Sequence, residues 1–234
     1  MNGSRSPAVA LWPLHRLWGV TAAAFVLLVL WDASGMDMAL AGLTGGPEGF
    51  RWRPAPWALA AHEGTRYASG AALLWLLLSI PWPTGVLRGL PRPARIWLLI
   101  VTITAMLGIA ALKQASQVSC PWDLRAFGGV ARHVSHWRWG VSDGGPGGCF
   151  PGGHASAGFA FVSGYFALRP YSLATAQRWL VLALVAGTAL GLLQQLRGAH
   201  FASHTFWTAA LCWLTALACA SVFPPGGRDA PAAG

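Results

Sequence analysis

Residues 149–158 read Cys-Phe-Pro-Gly-Gly-His-Ala-Ser-Ala-Gly, between a turn-rich segment upstream and an apolar run downstream. This order predicts a loop that turns into a helix, with Pro151 near the first helical position, where its missing N–H costs no hydrogen bond. Gly152 and Gly153 let a ligand approach the backbone closely, and the free N–H groups of a helix start attract anions such as phosphate. His154 would lie beside that anion, where it could give or take a proton. On this stretch alone, a helix start with a capping histidine explains the pattern equally well.

The composition is typical of a membrane protein. Of the 234 residues, 55% are hydrophobic and 10% are charged, against roughly 25% charged in soluble domains. Several apolar runs approach the length of about 20 residues that a membrane-spanning helix needs. The net charge of +9 comes almost entirely from arginines that lie between these runs, which favours anionic lipid head groups over nucleic acid as partners. We therefore expect an all-α, polytopic membrane protein that binds no nucleic acid.

Six apolar runs predict six transmembrane helices in one bundle, forming a single integral membrane domain over residues 1–234. The predicted spans are 14–31, 62–82, 96–112, 152–168, 177–196 and 204–223, and the motif-bearing half is 96–223. We expect the first run to be an uncleaved span, with a signal-peptidase site at Ala39-Leu40-Ala41 as the alternative. Short basic segments between the runs predict that both termini are cytoplasmic, so that the loops 32–60 and 114–150 face the opposite side.

Basic and imidazole side chains occur at three separate helix ends on the extracytoplasmic side of this arrangement. Lys113 ends the third predicted span and His154 opens the fourth, while residues 196–204, Leu-Arg-Gly-Ala-His-Phe-Ala-Ser-His, join the fifth and sixth. Taken singly, a Lys or Arg at a helix end usually snorkels towards the interface. Their convergence at one depth instead predicts a phosphate site, because phosphoryl transfer needs positive groups around the phosphate and an in-line nucleophile and acid.

These segments resemble the type-2 phosphatidic acid phosphatase family, membrane lipid phosphatases that are related to the vanadium haloperoxidases. The family shows Lys, six residues and Arg-Pro; later Pro-Ser-Gly-His; and last Ser-Arg, five residues, His, three residues and Asp. The first motif is matched by Lys113 and, six residues on, by Cys120-Pro121, with Cys in place of Arg. The second is matched by Pro151-Gly152-Gly153-His154, with Gly in place of Ser.

The third motif of that family is matched around its histidine, in Gly198-Ala199-His200-Phe201. His204 stands at the position of the family's Asp and Gln194 at that of its Arg, while Arg197 lies about one helical turn nearer the histidine. Together the three motifs follow the order and spacing of the third to sixth predicted spans, which make up about half of the chain.

The resemblance implies a metal-independent hydrolase of phosphoric monoesters or diphosphates that uses no cofactor. His200 would attack phosphorus and become a phosphohistidine, and His204 would orient it by accepting its imidazole N–H. His154 would protonate the leaving oxygen and then activate water. Lys113 and Arg197 would bind the phosphate, next to the glycines of the second motif.

The implied substrate is an anionic phospholipid or an isoprenoid phosphate or pyrophosphate in the lipid bilayer. The site would face the periplasm from a bacterial inner membrane. Transfer of the phosphoryl group to another lipid would use the same phosphoenzyme, and it stays open as an alternative to hydrolysis.

Two further expectations concern residues at the edge of the motifs. Arg66 opens the second predicted span on the same face and is expected to supply positive charge where Cys120 replaces the family's Arg; a local pair with Glu63 is the alternative. Cys120 and Cys149 flank the long extracytoplasmic loop, and an oxidising compartment there predicts a disulfide between them. The two cysteines of the last predicted span should stay free.

Two other classes of protein fit parts of the pattern. A zinc hydrolase could use His154, His200 and His204 as three ligands with water in the fourth position, but no carboxylate lies within these motifs to act as a general base. A non-enzymatic protein, such as a haem-binding or scaffold membrane protein, is the other class. The polar loops and the Gly-Gly pair before His154 do not favour it.

Overall fold

The computed structural model describes residues 12–226, and these form a helical bundle with one short β-ribbon. The helices are α1 (Leu14–Ala33), α2 (Met36–Ala41), α3 (Pro56–Leu78), α4 (Arg92–Ala115), α5 (Gly153–Phe159), α6 (Ser163–Leu168), α7 (Leu173–Leu196) and α8 (Ala202–Val222). The antiparallel ribbon pairs β1 (Gly45–Gly46) with β2 (Gly49–Phe50) and is a small departure from the all-α expectation. Short 3-10 turns lie at Gly85–Gly89, Pro121–Asp123, Arg125–Phe127 and Ala160–Val162.

Four helices among residues 12–226 are long and apolar enough to cross a membrane: α1, α4, α7 and α8. This supports an integral membrane protein, whereas the count of six spans stays a prediction. A helix does occupy each of the other two predicted spans, but α3 carries polar residues in its first half. The segment 153–168 is divided by the 3-10 turn at Ala160–Val162 into two helices of seven and six residues.

The core lies between α4, the α5–α6 segment and α8. The buried side chains of α4 recur at helical spacing, which gives that helix one face towards the bundle: Leu98, Val101, Thr102, Ala105 and Ile109. The hydroxyls of Thr102 and Ser163 lie 2.7 Å apart in this core and share a hydrogen bond. A polar contact of this kind satisfies both hydroxyls away from water.

Glycines let α5 and α8 approach α7 closely. A Cβ atom on Gly158 of α5 would lie 2.2 Å from the backbone nitrogen of Gly187 in α7, and one on Gly191 would lie 2.2 Å from Cγ2 of Thr205 in α8. Small residues at such contacts are how membrane helices pack backbone to backbone. They bring α5 and the first turn of α8 to the same end of α7.

The long loop between α4 and α5 folds back on itself, so that its two ends lie together. Cys120 and Cys149 form a disulfide with their Cα atoms 5.1 Å apart, and the N–H of Cys149 donates to the carbonyl of Val118. The buried carboxylate of Asp143 accepts hydrogen bonds from the N–H and the hydroxyl of Ser119. The end of α4 is thereby held next to the start of α5.

Two aspartates near the end of α1 attach the N-terminal helices to α8. Asp37 of α2 accepts hydrogen bonds from the N–H and the hydroxyl of Ser203, in the first turn of α8. Asp32 of α1 accepts from the indole N–H groups of Trp137 and Trp207, each at 2.9 Å. A carboxylate at a helix N-terminus satisfies free N–H groups and complements the helix dipole, so α2 stabilises the start of α8.

Candidate active site

The structure brings the three motifs together at the end of α4, the start of α5 and the start of α8. The N–H of Gly152 donates to the hydroxyl of Thr208, at 2.9 Å, and to the carbonyl of His204, at 3.3 Å. A Cβ atom on Gly153 would lie 3.3 Å from Cδ of Lys113, so the lysine side chain passes over this glycine. The second motif is therefore in contact with both the first and the third.

These contacts correct the expected role of Gly152. Its N–H group is already engaged by Thr208 and His204, so it is not free to donate to a phosphate. The open backbone of Gly152 instead allows the loop to lie against α8, because a Cβ atom there would meet the carbonyl oxygen of His204 at 3.4 Å. Gly153, the first residue of α5, keeps the position expected of a phosphate donor.

His200 and His204 form a buried pair. Their Nδ1 atoms lie 3.4 Å apart, and the two side chains are 6% and 2% exposed. Only one of two facing imidazole nitrogens can carry the shared proton. When Nδ1 of His200 donates, Nε2 of His200 keeps a free lone pair, which is the form that a nucleophilic imidazole requires.

His200 is held in its neutral form by its surroundings. It lies in the turn between α7 and α8, and burial lowers its pKa from 6.5 to about 3, with the positive charge of Lys113 acting in the same direction. A buried cation next to another cation is costly, so the imidazole releases its proton instead. Sγ of Cys149 lies 3.5 Å from Nδ1 of His200 and 3.1 Å from the carbonyl oxygen of Ala199, and it packs against the same ring.

His154 lies at the start of α5 with its Nε2 buried and without a hydrogen-bond partner among residues 12–226. Its ring stacks on the ring of His62 from α3, with centroids 3.8 Å apart and an interplanar angle of 29°. Buried polar atoms are usually hydrogen-bonded, so an unpartnered nitrogen in this position is suited to a ligand.

The three expected phosphate-binding cations have different surroundings. Nζ of Lys113 donates a short hydrogen bond to the carbonyl of Gly148. Arg197 is buried; its Nη1 donates to Oε1 of Gln194 at 3.3 Å, and its Nε has no partner among the described residues. Arg66 pairs with Glu63 at 3.7 Å, and its side chain is 71% exposed, which is the local pairing that the sequence left open.

Sequence reasoning missed the contacts of several side chains around the motifs. His62 stacks on His154, and Gln194 accepts a hydrogen bond from Arg197. A histidine in a predicted membrane span is costly unless it faces a polar site, and this cost was the available signal for His62. A small cavity of about 60 Å³ borders His204 and is also lined by Asp32 and His136. Burial lowers the pKa of His136, although the carboxylate of Asp32 acts in the opposite direction.

A larger groove of about 400 Å³ reaches His200 from the side of α2 and α7. Its apolar wall is formed by Leu40, Leu43, Leu192 and Leu196. An apolar groove that ends at a buried imidazole is suited to a ligand with a hydrocarbon part and a polar end.

The geometry does not favour the zinc alternative. Among residues 12–226, the side chains that bring three ligand atoms within 4.8 Å of one another are those of Cys120, Cys149 and His200. The two cysteines in that group form the disulfide. His154 does not complete such a group with His200 and His204.

Comparison with known protein families confirms the resemblance carried by the motifs. A model of the PAP2 superfamily matches residues 94–227, which is more than half of the chain and includes all three motifs. Comparisons with individually described proteins and with solved structures gave no match. The matched region runs from α4 to the end of α8, so the chain belongs to the PAP2 superfamily.

Proposed function

We propose that the protein is a phosphatase that acts on a membrane lipid phosphate or pyrophosphate through a phosphohistidine at His200. Members of the PAP2 superfamily are phosphatases. The observation that carries the mechanism is the buried His200–His204 pair, whose Nδ1 atoms face each other at 3.4 Å. That contact fixes the ring and directs nucleophilicity to Nε2.

In the first step, Nε2 of His200 attacks phosphorus and the bond to the leaving oxygen breaks. His154 gives that oxygen its proton, and His204 accepts a hydrogen bond from Nδ1–H of His200. In the second step, His154 takes a proton from water, and the water oxygen attacks the phosphohistidine to release phosphate and free His200. A positioned general acid contributes about 10²–10⁴-fold to the rate of such a step.

The charge of the phosphate is met by Lys113 and Arg197, together with the N–H of Gly153 at the start of α5. Pre-organised positive groups stabilise the charge that develops on the equatorial oxygens. Arg66 contributes at the edge of the site, where its pair with Glu63 competes for its charge. The reaction needs no metal ion, since these side chains supply both the charge and the proton transfers.

The lipid substrate follows from the groove beside His200. Its leucine-rich wall supports an acyl or isoprenoid chain whose phosphate lies at the imidazole. We place the site at the periplasmic face of a bacterial inner membrane, in a six-span protein with both termini in the cytoplasm. The short basic segments support this orientation, and so does the disulfide, because disulfides persist in oxidising compartments.

The test is a purified-enzyme screen with undecaprenyl pyrophosphate, lipid A, phosphatidylglycerophosphate and phosphatidic acid, with phosphate release as the readout. Quenching with labelled substrate should trap an acid-labile, base-stable phosphate that maps to His200. His200→Ala should abolish turnover and label, whereas a chelator should change neither. A label on another residue, or turnover by His200→Ala that a chelator stops, would contradict the mechanism.

Topology is tested separately from chemistry. A reporter fused after the last residue should behave as cytoplasmic. An extracytoplasmic signal there would move the site to the other face of the membrane without affecting the trapped phosphohistidine.

A further inference from the structure

The ring of His62 lies face to face with the ring of His154. The centroids are 3.8 Å apart and the planes differ by 29°. His62 belongs to α3, and its side chain is 26% exposed, so most of the ring is inside the protein. A histidine in the first half of this helix is thus placed directly on the side chain that we propose as the general acid.

A second contact holds His62 in one orientation. Nε2 of Gln194 lies 3.3 Å from Nδ1 of His62, and Gln194 is only 1% exposed. Gln194 stands where the resemblance places an arginine. The amide therefore connects α7 to the imidazole of α3 in the interior of the bundle.

The hydrogen-bond directions in this contact follow from Arg197. A guanidinium can only donate, so the Gln194 atom that faces it must be the carbonyl oxygen, and the distance from Nη1 of Arg197 to Oε1 is 3.3 Å. The NH₂ group of Gln194 then faces His62 and donates to its Nδ1. His62 is consequently neutral, with its proton on Nε2, which lies 3.9 Å from Oε1 of Glu63.

The ring stacked on His154 restricts the orientations of this imidazole. It does so without adding charge, because His62 is neutral, whereas burial and the positive charges of Lys113 and Arg197 disfavour a proton on His154. Stacking fixes the plane of His154, and alignment of a reacting group is worth a large part of a catalytic step.

We propose that His62, held by Gln194, is a positioning residue that fixes the ring of His154 for proton transfer to the leaving oxygen. The proposal rests on the function proposed above. The proposal goes beyond that function because none of the three family motifs contains a residue of α3. His62 acts through His154 and has no contact of its own with the reacting phosphate.

The leaving group distinguishes a residue that acts through the acid from one that merely stabilises the fold. An alkyl phosphate needs protonation of its leaving oxygen, whereas p-nitrophenyl phosphate needs it far less. His154→Ala should therefore lower kcat/KM, which reports the first step alone, much more for the alkyl substrate than for the aryl one. His62→Ala should show the same pattern, with kcat/KM for the alkyl phosphate lowered by about 10–100-fold and kcat/KM for p-nitrophenyl phosphate changed little.

A double variant tests whether the two residues act as a unit. Residues that act through one another are strongly non-additive, so His62→Ala with His154→Ala should be no slower than His154→Ala alone. His62→Phe keeps the stacked ring and should recover part of the loss. Tyr67→Ala is the matched control, since Tyr67 lies on the same helix and is 77% exposed; it should behave as wild type on both substrates.

Each outcome bears on one proposal only. If wild type is inactive, or if His154→Ala lowers kcat/KM equally for both substrates, the proposed function fails. If wild type and His154→Ala behave as expected but His62→Ala lowers kcat/KM equally for both substrates, or multiplies the loss of His154→Ala, the role of His62 is overturned. Should His62→Ala fold poorly, Gln194→Leu serves instead, because it removes the amide that orients the ring of His62; it should give a smaller loss with the same leaving-group pattern.

Discussion

Sγ of Cys149 lies 3.5 Å from Nδ1 of His200, the proposed nucleophile. The same sulfur is bonded to Cys120, so one covalent link both closes the long loop and contacts the ring that would carry the phosphate. Position and stability of the site are therefore expected to depend on the oxidation state of these two cysteines.

Opening the disulfide should lower both stability and turnover. Cys120 and Cys149 are 29 residues apart, and closing a loop of that length is worth about 3–4 kcal/mol in the chain-entropy model. Cys120→Ser combined with Cys149→Ser should lower the midpoint of thermal inactivation in detergent and slow phosphohistidine formation. Cys219→Ser is the control, because Cys219 is a free thiol. Unchanged inactivation and turnover in the double variant would contradict this role.

The partner of the nucleophile can be exchanged for a carboxylate. His204→Ala should lower kcat by about 10–100-fold, because His200 loses the acceptor that fixes its ring. His204→Asp should be clearly more active than His204→Ala, since a carboxylate accepts an N–H more strongly than a neutral imidazole does. The rate of phosphohistidine formation measures the effect. Equal rates for the Asp and Ala variants would show that His204 does not orient His200.

Acid should destabilise the protein partly through His200. The unfolded imidazole has a pKa of about 6.5, whereas burial holds the pKa of His200 in the folded protein at about 3. As pH falls through 6.5, the unfolded chain binds a proton that the folded protein excludes, so stability is lost progressively down to about pH 3. Each pH unit well below 6.5 should cost about 1.4 kcal/mol.

The matched variant for this pH effect is His200→Gln, which keeps a polar side chain of similar size but does not titrate. As the pH is lowered from about 7 to about 5, the thermal midpoint of wild type should fall more than that of His200→Gln. A difference between the two midpoints that is constant over this range would mean that His200 is already protonated in the folded protein or is not buried.

Arg197 and Arg66 should differ in their effect on anion binding. Arg197 is buried and is connected to His154 through its hydrogen bond to Gln194 and the stacked ring of His62. Arg66, by contrast, is largely exposed and pairs with Glu63. Arg197→Met should weaken inhibition by vanadate by about tenfold or more, because a hydrogen bond from a charged group is worth about 1.5–3 kcal/mol. Arg66→Ala should change it by less than about threefold, since exposed charges contribute little. The reverse order would make Arg66, and not Arg197, the more important phosphate ligand.

The helices were largely predictable because their apolar runs are long and their ends carry local signals. α3 begins earlier than the predicted span, at Pro56, where a proline in the first turn marks a helix start, and it ends at Leu78, before Pro81 and Pro83. The loop-to-helix transition at Gly153 was also expected from the Pro-Gly-Gly sequence, but Pro151 lies before the N-cap residue Gly152 and not in the first turn. These features depend on residues that are close together in the chain.

The break between α5 and α6 could not be predicted from its own residues. The run from Phe159 to Leu168 is apolar and contains no proline. The structure shows that the indole N–H of Trp179 donates to the carbonyl of Phe161, at 2.7 Å, and that a Cβ atom on Gly164 would lie 2.1 Å from the same indole nitrogen. This packing comes from a residue on α7, and no local pattern in 153–168 reveals it.

The partners of the site residues were hidden for the same reason. Gln194 and His62 are 132 positions apart in the chain, and the motif spacing reports only on α4 to α8. A hydrophobic periodicity shows which face of α3 is buried, but not which imidazole it meets. The motifs therefore identified the groups proposed to react, and the fold was needed to find the groups that hold them.

Asp37 is hydrogen-bonded to Ser203, so the site depends on a residue that lies outside the region matched by the PAP2 superfamily model. The matched region begins at residue 94. The first turn of α8, which carries His204, is nevertheless capped by Asp37 of α2. A transplant of 94–227 into the membrane scaffold of another PAP2 protein would carry every motif residue but leave this cap behind. Recombination between relatives should accordingly yield active hybrids only when the N-terminal helices travel with the motifs they support.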